Sequence, residues 1–233
     1  MFLGACDGDN AADPRPLPPT DVLREKFTTD GSDWGRDWLN VRYEGPFSVR
    51  DGKGIVEVEP AVEKALQEGK EVAAYMARPV IVPRLDLAEC VVLATVEPEG
   101  PVEAGVVCHV TYDEGYALLV RDADLLLYRY DVVDRKLLAQ KPVPGDGPVR
   151  LTLGFSRGTV TGEALRGEDV DVSISAEDPD PLPRGFAGVL VNPASTSEGG
   201  RARFSNIHIE GPRIESTPRF AYRFAGAAEE TRA

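Results

Sequence analysis

Val149-Arg150-Leu151-Thr152-Leu153-Gly154-Phe155 carries Val, Leu, Leu and Phe at every second position, with Arg, Thr and Gly between them. A period of two is the mark of a strand with one dry face and one wet face. The same kind of reading extends in both directions. Residues 87–96 are apolar with short polar interruptions, and Pro98-Glu99-Gly100-Pro101 then turns the chain. Residues 104–112 follow, then the turn Asp113-Glu114-Gly115, then 116–121, and 125–131 with 136–140 form a further pair. On the other side, 159–165 and 170–175 are shorter and more polar, and 185–191 and 203–209 close the set. Short strands at regular spacing, punctuated by Gly, Pro and Asp, predict an all-β domain of two antiparallel sheets rather than a parallel α/β sheet.

One helix interrupts the pattern. Val62, Ala65, Leu66, Val72, Ala73 and Met76 fall on one face at helical spacing, predicting a short inserted helix over 61–76, with Gly69 in its middle costing roughly 1 kcal/mol relative to Ala.

The totals agree with one large sandwich. Hydrophobic residues make up 42% of the 233, enough for a core, and 23 Gly and 19 Pro suit many turns. The net charge of −13 excludes nucleic acid as partner, because a duplex or single strand needs a basic face to displace its counterions. Such acidity suits the solubility of a secreted protein, with calcium or a cationic partner as the other readings. No stretch approaches the roughly 18 consecutive apolar residues of a membrane helix.

The N-terminal residues are read as a processing site and tether, residues 1–22. Leu3-Gly4-Ala5-Cys6 resembles the bacterial lipobox, in which a signal peptidase cuts before a Cys that carries lipid. The basic and apolar regions that ordinarily precede such a box are missing from this sequence. The polar run from Asp7 to Asp13 and then Pro14-Arg15-Pro16-Leu17-Pro18-Pro19 read as an extended spacer. The expectation is an extracytoplasmic domain over 23–211, lipid-anchored to a bacterial membrane through Cys6, with a C-terminal tail over 212–233.

The order of elements carries a second resemblance. Phe27 with Asp30, then Trp38-Leu39-Asn40-Val41, then Phe47-Ser48-Val49-Arg50-Asp51-Gly52 resembles the opening of a concanavalin A-like (laminin-G-like) jelly roll. Gly115-Tyr116-Ala117-Leu118-Leu119-Val120 and Leu126-Leu127-Tyr128-Arg129 match its middle, and Ala202-Arg203-Phe204-Ser205-Asn206-Ile207-His208-Ile209 its last strand, which returns beside the first. The strand pattern is also similar to the 3-keto-disaccharide hydrolase domain. The resemblance implies a jelly-roll sandwich and leaves function open, since lectins, glycosidases and adhesion modules share that scaffold.

Catalytic signatures are sparse. A retaining glycosidase on this fold presents Glu-x-Asp-x-x-Glu, placing two carboxylates roughly 5–5.5 Å apart. Here Glu57-Val58-Glu59 and Asp169-Val170-Asp171 each set two acids on one strand face without the third. His109 and His208 lie mid-strand, and His109 is expected to face solvent or a groove. For ligand binding, Tyr112, Tyr116, Tyr128 and Tyr130 belong to consecutive middle strands, with Arg129 pointing away from its two flanking tyrosines. They are read either as a sugar-stacking platform or as ordinary sheet tyrosines. Trp38 is read as core and Trp34 as exposed and available to ligand.

Two further sites are expectations. The resemblance implies a structural calcium where first and last strands meet, at Asp30 and Asn206. If the turn at Glu99-Gly100 makes a hairpin of 88–96 and 104–110, Cys90 and Cys108 fall nearly opposite on one face. Opposite Cβ atoms in such a pair lie ~4.5–5.5 Å apart, wider than the ~3.5–4.5 Å a disulfide prefers, so a bridge and two core thiols both stay open. The function expected is a non-catalytic, surface-anchored module that binds carbohydrate or a cell-surface polymer. Alternatives are a sugar-acting hydrolase of the keto-disaccharide type and an accessory domain of a larger extracytoplasmic hydrolase.

Overall fold

The computed structural model describes residues 20–35, 37–40, 47–60, 79–111, 114–131, 134–167, 170–195 and 198–212. The lipobox Cys6, the expected helix over 61–76, Tyr112 and the tail beyond Pro212 lie outside them.

Their elements are all strands: β1 (Thr20–Glu25), β2 (Leu39–Asn40), β3 (Phe47–Arg50), β4 (Lys53–Val58), β5 (Val80–Ile81), β6 (Cys90–Glu99), β7 (Val102–Val110) and β8 (Gly115–Arg121). The second half of the chain adds β9 (Asp124–Tyr130), β10 (Arg135–Pro142), β11 (Val149–Ser156), β12 (Thr159–Arg166), β13 (Val170–Glu177), β14 (Phe186–Pro193) and β15 (Gly200–Pro212). The first strand thus begins inside the stretch read as tether.

Two antiparallel sheets result. The first runs β13-β12-β11-β6-β15-β4-β3, with β1 bonded to the far half of β15. The second runs β10-β9-β8-β7-β14-β5-β2. The long closing strand β15 returns beside both β1 and β4, as the resemblance implied. Asp51 and Gly52, with φ of 53° and 71°, make the tight β3–β4 hairpin whose twist requires left-handed residues at both central positions.

Alternation fills the space between the sheets. Val149, Leu151, Leu153 and Phe155 of β11 point inward with Cys90, Val92, Ala94 and Val96 of β6. Ala104, Val106 and Cys108 of β7 meet them from the second sheet with Tyr116, Leu118 and Val120 of β8. Two bulges reset the phase. In β15, the register slips between Ser205 and His208, with Asn206 at φ 52°, so that Ala202 and Phe204 are followed inward by Ile207 and Ile209. In β7, His109 at φ 50° sits where the register against β14 shifts. That bulge turns Cys108 and His109 both inward.

Trp34 departs from expectation. It is 5% exposed, its ring 5.0 Å from both Phe27 and Trp38 and 5.9 Å from Phe204, and its Nε1 donates to the Ser48 carbonyl at 2.8 Å. Gly54 makes the room, since a Cβ there would lie 2.6 Å from the Phe27 and Trp34 rings. Trp38 is core, as read from sequence, and donates to Glu25 Oε2 at 3.2 Å.

Candidate functional site

On the outer face of the first sheet, β15 runs between β4 and β6, and Arg201 is the cross-strand partner of both Glu57 and Glu99. Strand pairing alone therefore lines up a carboxylate, a guanidinium and a carboxylate in one row. Arg201 Nε donates to Glu99 Oε2 at 2.6 Å, and its Nη1 stands 3.9 Å from Glu57 Oε1. Arg203 pairs with the other Glu99 oxygen at 2.9 Å. A cleft of about 500 Å³ opens here, walled by Glu57, Glu59, Glu99 and Arg201 over Gly100 and Gly200. Gly200 allows close packing behind the cleft: a Cβ there would lie 2.6 Å from the buried Val102 Cγ1 and 2.8 Å from the Glu99 carbonyl oxygen. Half-exposed acceptors around one donor suit a polyhydroxylated ligand.

A second polar cluster lies on the outer face of the second sheet and is closed. Glu103 is 2% exposed, accepts from Arg121 Nη1 at 2.9 Å and Arg135 Nη2 at 3.2 Å, pairs also with Arg135 Nη1, and accepts from Asn192 Nδ2 at 3.4 Å. Arg135 lies 4.6 Å over the Tyr128 ring. Burial, with the Glu103 charge adding, pushes the Tyr128 hydroxyl above its ordinary pKa.

A third cluster ties the segment after β13 to the end of the sandwich. Asp178 Oδ2 accepts from Tyr116 Oη at 2.6 Å and from Arg129 Nη1 at 2.7 Å, and Asp178 Oδ1 accepts from the Asp180 amide at 3.1 Å. Tyr116 Oη accepts in turn from the Leu182 amide at 3.1 Å. Burial and the Asp178 hydrogen bond drive the Tyr116 pKa upward. Deeper in, Asp86 is buried 3.6 Å from Arg184, and burial raises its pKa over the opposing pull of Arg184 and His109.

The sequence-predicted residues separate in space. Tyr116 and Arg129 serve the Asp178 cluster on the inner side, whereas Tyr128 and Tyr130 belong to the buried outer face of the second sheet. No shared platform forms from them, because successive side chains of β9 leave on opposite faces. His109 is fully buried, not exposed, its ring 3.9 Å from Phe155. His208 is half-buried with Nε2 2.9 Å from Glu210. Asp30 Oδ1 accepts from the Asp51 amide at 3.0 Å, and Asn206 donates to Thr95 Oγ1 at 3.4 Å. Among the described residues, no group of three or more His, Cys, Asp or Glu is placed to hold a metal ion.

Cys90 and Cys108 are buried free thiols, and they do not oppose each other in a hairpin. Their strands lie in different sheets, so the turn at Gly100 carries the chain across the core. Glu99, Glu103, Arg121, Arg135 and Arg201 passed unnoticed in the sequence. Their signal is a register relation between distant strands, which no local spacing displays.

No protein-family model matches the chain, and no curated protein does. Solved structures do. A prokaryotic β-1,3-1,4-glucanase (lichenase) from a mouse hindgut metagenome superposes with a TM-score of 0.57 at 9% identity, covering 82% of this chain and 99% of that one. A non-specific endo-β-1,3(4)-glucanase of family GH16 gives 0.56 at 9% identity, covering 85% and 97%. A xylan β-1,4-xylosidase from Bacillus halodurans gives 0.53 at 14% identity, covering 88% of this chain and 41% of that one. The chain thus spans about two fifths of the xylosidase. At such identities the likeness is one of fold: the chain is a concanavalin A-like jelly-roll sandwich.

Proposed function

We propose that this chain is a non-catalytic carbohydrate-binding module whose site is the cleft between β4, β6 and β15. The observation that carries the reading is the Glu57–Arg201–Glu99 row along the cleft. Two carboxylates accept from sugar hydroxyls and the guanidinium donates to a ring or hydroxyl oxygen, the usual way a few placed polar groups orient a ligand. With three glutamates to one arginine the cleft is acidic, so it favours neutral polysaccharide over uronate or sulfated chains. The glucanases of the same fold act on neutral β-glucans, which supports that class of ligand.

A hydrolytic role is less well supported. Glu99 is held by both Arg201 and Arg203, and Asp86, whose pKa is raised, lies in the interior away from the cleft. The lipobox-like Leu3-Gly4-Ala5-Cys6 and the Pro-rich run after it support an extracytoplasmic module held on a membrane by lipid.

The test is affinity gel electrophoresis with embedded β-1,3-1,4-glucan, xylan and an acidic polysaccharide. The expected result is retardation by a neutral glycan, lost in Arg201→Ala and Glu57→Gln at unchanged melting temperature. Equal retardation of the Arg201→Ala chain, or none in any neutral gel, overturns the assignment. Release of reducing ends from the glucan makes the protein a hydrolase instead.

A further inference from the structure

We propose that Cys90 and Cys108 close a disulfide between the two sheets, formed by thiol–disulfide exchange. The positions follow from register. Cys90 pairs with Phe155 across β6 and β11, and Cys108 pairs with Tyr116 across β7 and β8. Phe155 stacks on Tyr116 across the core, ring centroids 5.3 Å apart and 25° between planes. The next strands along, β6 and β7, face each other in the same way, and both thiols lie in the same buried core cluster, close enough to perturb each other. Because the pair faces across the sandwich, its spacing is set by how the two sheets pack and not by a ladder register.

His109 adds the chemistry. Its bulge, at φ 50°, turns the ring into the core beside these thiols. Nδ1 lies 2.9 Å from the Leu182 carbonyl oxygen, which only accepts, so Nδ1 carries the proton. Nε2 is buried and has no hydrogen-bond partner of its own. The Cys108 hydrogen bond and His109 hold Cys90 below the ordinary thiol pKa against the upward push of burial. Burial and the Cys90 charge push Cys108 up.

The exchange consumes one external disulfide such as oxidised glutathione. The thiolate of one cysteine, its proton lost to solvent, attacks one sulfur of that disulfide, and a glutathione thiolate leaves and is protonated. The thiolate of the other cysteine, its proton also lost to solvent, then attacks the protein sulfur of the mixed disulfide and expels the second glutathione. Two protein thiols are oxidised and one glutathione disulfide is reduced to two thiols. Both cysteines are buried, so the reaction takes place while this end of the sandwich is open, during folding or local unfolding.

The experiment uses the full chain with Cys6→Ser, leaving only these two thiols, refolded with either oxidised glutathione or dithiothreitol. Expected in the oxidised sample are a Cys90–Cys108 linked peptide on non-reducing digestion and no thiol titratable after denaturation. A melting temperature roughly 6–12 °C above the reduced form is also expected, lost on adding reductant. Cys90→Ser and Cys108→Ser each abolish that difference. Two titratable thiols in the oxidised sample, glutathione adducts alone, or a linked form that melts at or below the reduced one overturns the proposal. So does an oxidant-dependent rise that survives in either single variant.

Discussion

Replacing Asp178 by Ala removes the residue that ties the segment before β14 to the end of the sandwich. Its carboxylate accepts from Tyr116 Oη at 2.6 Å, Arg129 Nη1 at 2.7 Å and the Asp180 amide at 3.1 Å. Hydrogen bonds to a charged group are worth about 1.5–3 kcal/mol each, and breaking a buried pair costs about 3–5 kcal/mol. Arg129 softens the loss, because it keeps the Asp180 carbonyl at 2.7 Å and its side chain is a quarter exposed. The Tyr116 hydroxyl has no such relief, since it is buried and already accepts from Leu182. The expected cost is about 3 kcal/mol at pH 7, read by urea unfolding followed through Trp34 and Trp38 fluorescence. Acid supplies the second reading. Burial alone would raise the Asp178 pKa, but the Tyr116 hydrogen bond, the Asp180 amide and Arg129 outweigh it and hold it below the ordinary value. A depressed native pKa means stability that is fully present above about pH 4 and lost as pH falls through the native value. Asp178→Ala lacks that contribution, so the gap between wild type and variant narrows as the pH is taken toward 2. A cost under about 1 kcal/mol at pH 7, or a gap that stays constant in acid, refutes the reasoning.

Substitutions at two positions probe the second sheet. Glu103→Ala takes the buried carboxylate from Arg135, whose side chain is 7% exposed, and from Arg121, for an expected loss of about 3 kcal/mol in urea unfolding. Glu103→Gln keeps the shape and is expected to lose less. Gly188→Ala sets a Cβ 2.0 Å from the Val80 carbonyl oxygen and 2.8 Å from Ile81 Cα, both backbone, so β5 must leave β14. Loss of soluble folded protein, or destabilisation beyond about 3 kcal/mol, is expected on expression and thermal melting. Gly147→Ala, at φ 85° with open space around it, is expected to cost about 1 kcal/mol in the same melt.

Alternation made strands legible where one face is wet, as in residues 149–155, which bury alternately in β11. Elsewhere the apolar runs and the turns between them sufficed, and the β7–β8 and β9–β10 pairs stand as read. What periodicity does not carry is the sheet to which the next strand belongs. Pro98-Glu99-Gly100-Pro101 reads locally as a hairpin turn, yet β6 and β7 separate into opposite sheets, which moved Cys90 and Cys108 from neighbours in a ladder to partners across the core. The signal was present in β7, whose run from Val102 to Val110 lacks alternation because every residue is buried. Trp34 and His109 were misplaced for related reasons. One is drawn in by a glycine opposite it, the other turned in by a bulge, and both effects belong to the pairing of distant segments.

The same contrast between sheets decides where a ligand can be met. On the second sheet Val107, Leu119, Leu126, Tyr128 and Leu190 line the outer face and are all buried, and Glu103 there is neutralised by two arginines. A sugar approaching that face would find neither a free hydroxyl nor an open ring. On the first sheet the outward residues of β11 and β12, such as Arg150, Ser156, Thr161 and Glu163, are exposed, and β4, β15 and β6 carry paired charges across three strands. Water already competes for those groups, so exchanging it for sugar hydroxyls costs little desolvation, and a row of fixed donors and acceptors gains from being preorganised. Tyr116, Tyr128 and Tyr130, which suggested a platform from their spacing, are thus buried in the sandwich. Polar chemistry open to a ligand lies where the chain alternates most strictly, because alternation is what leaves one face of a strand to the solvent.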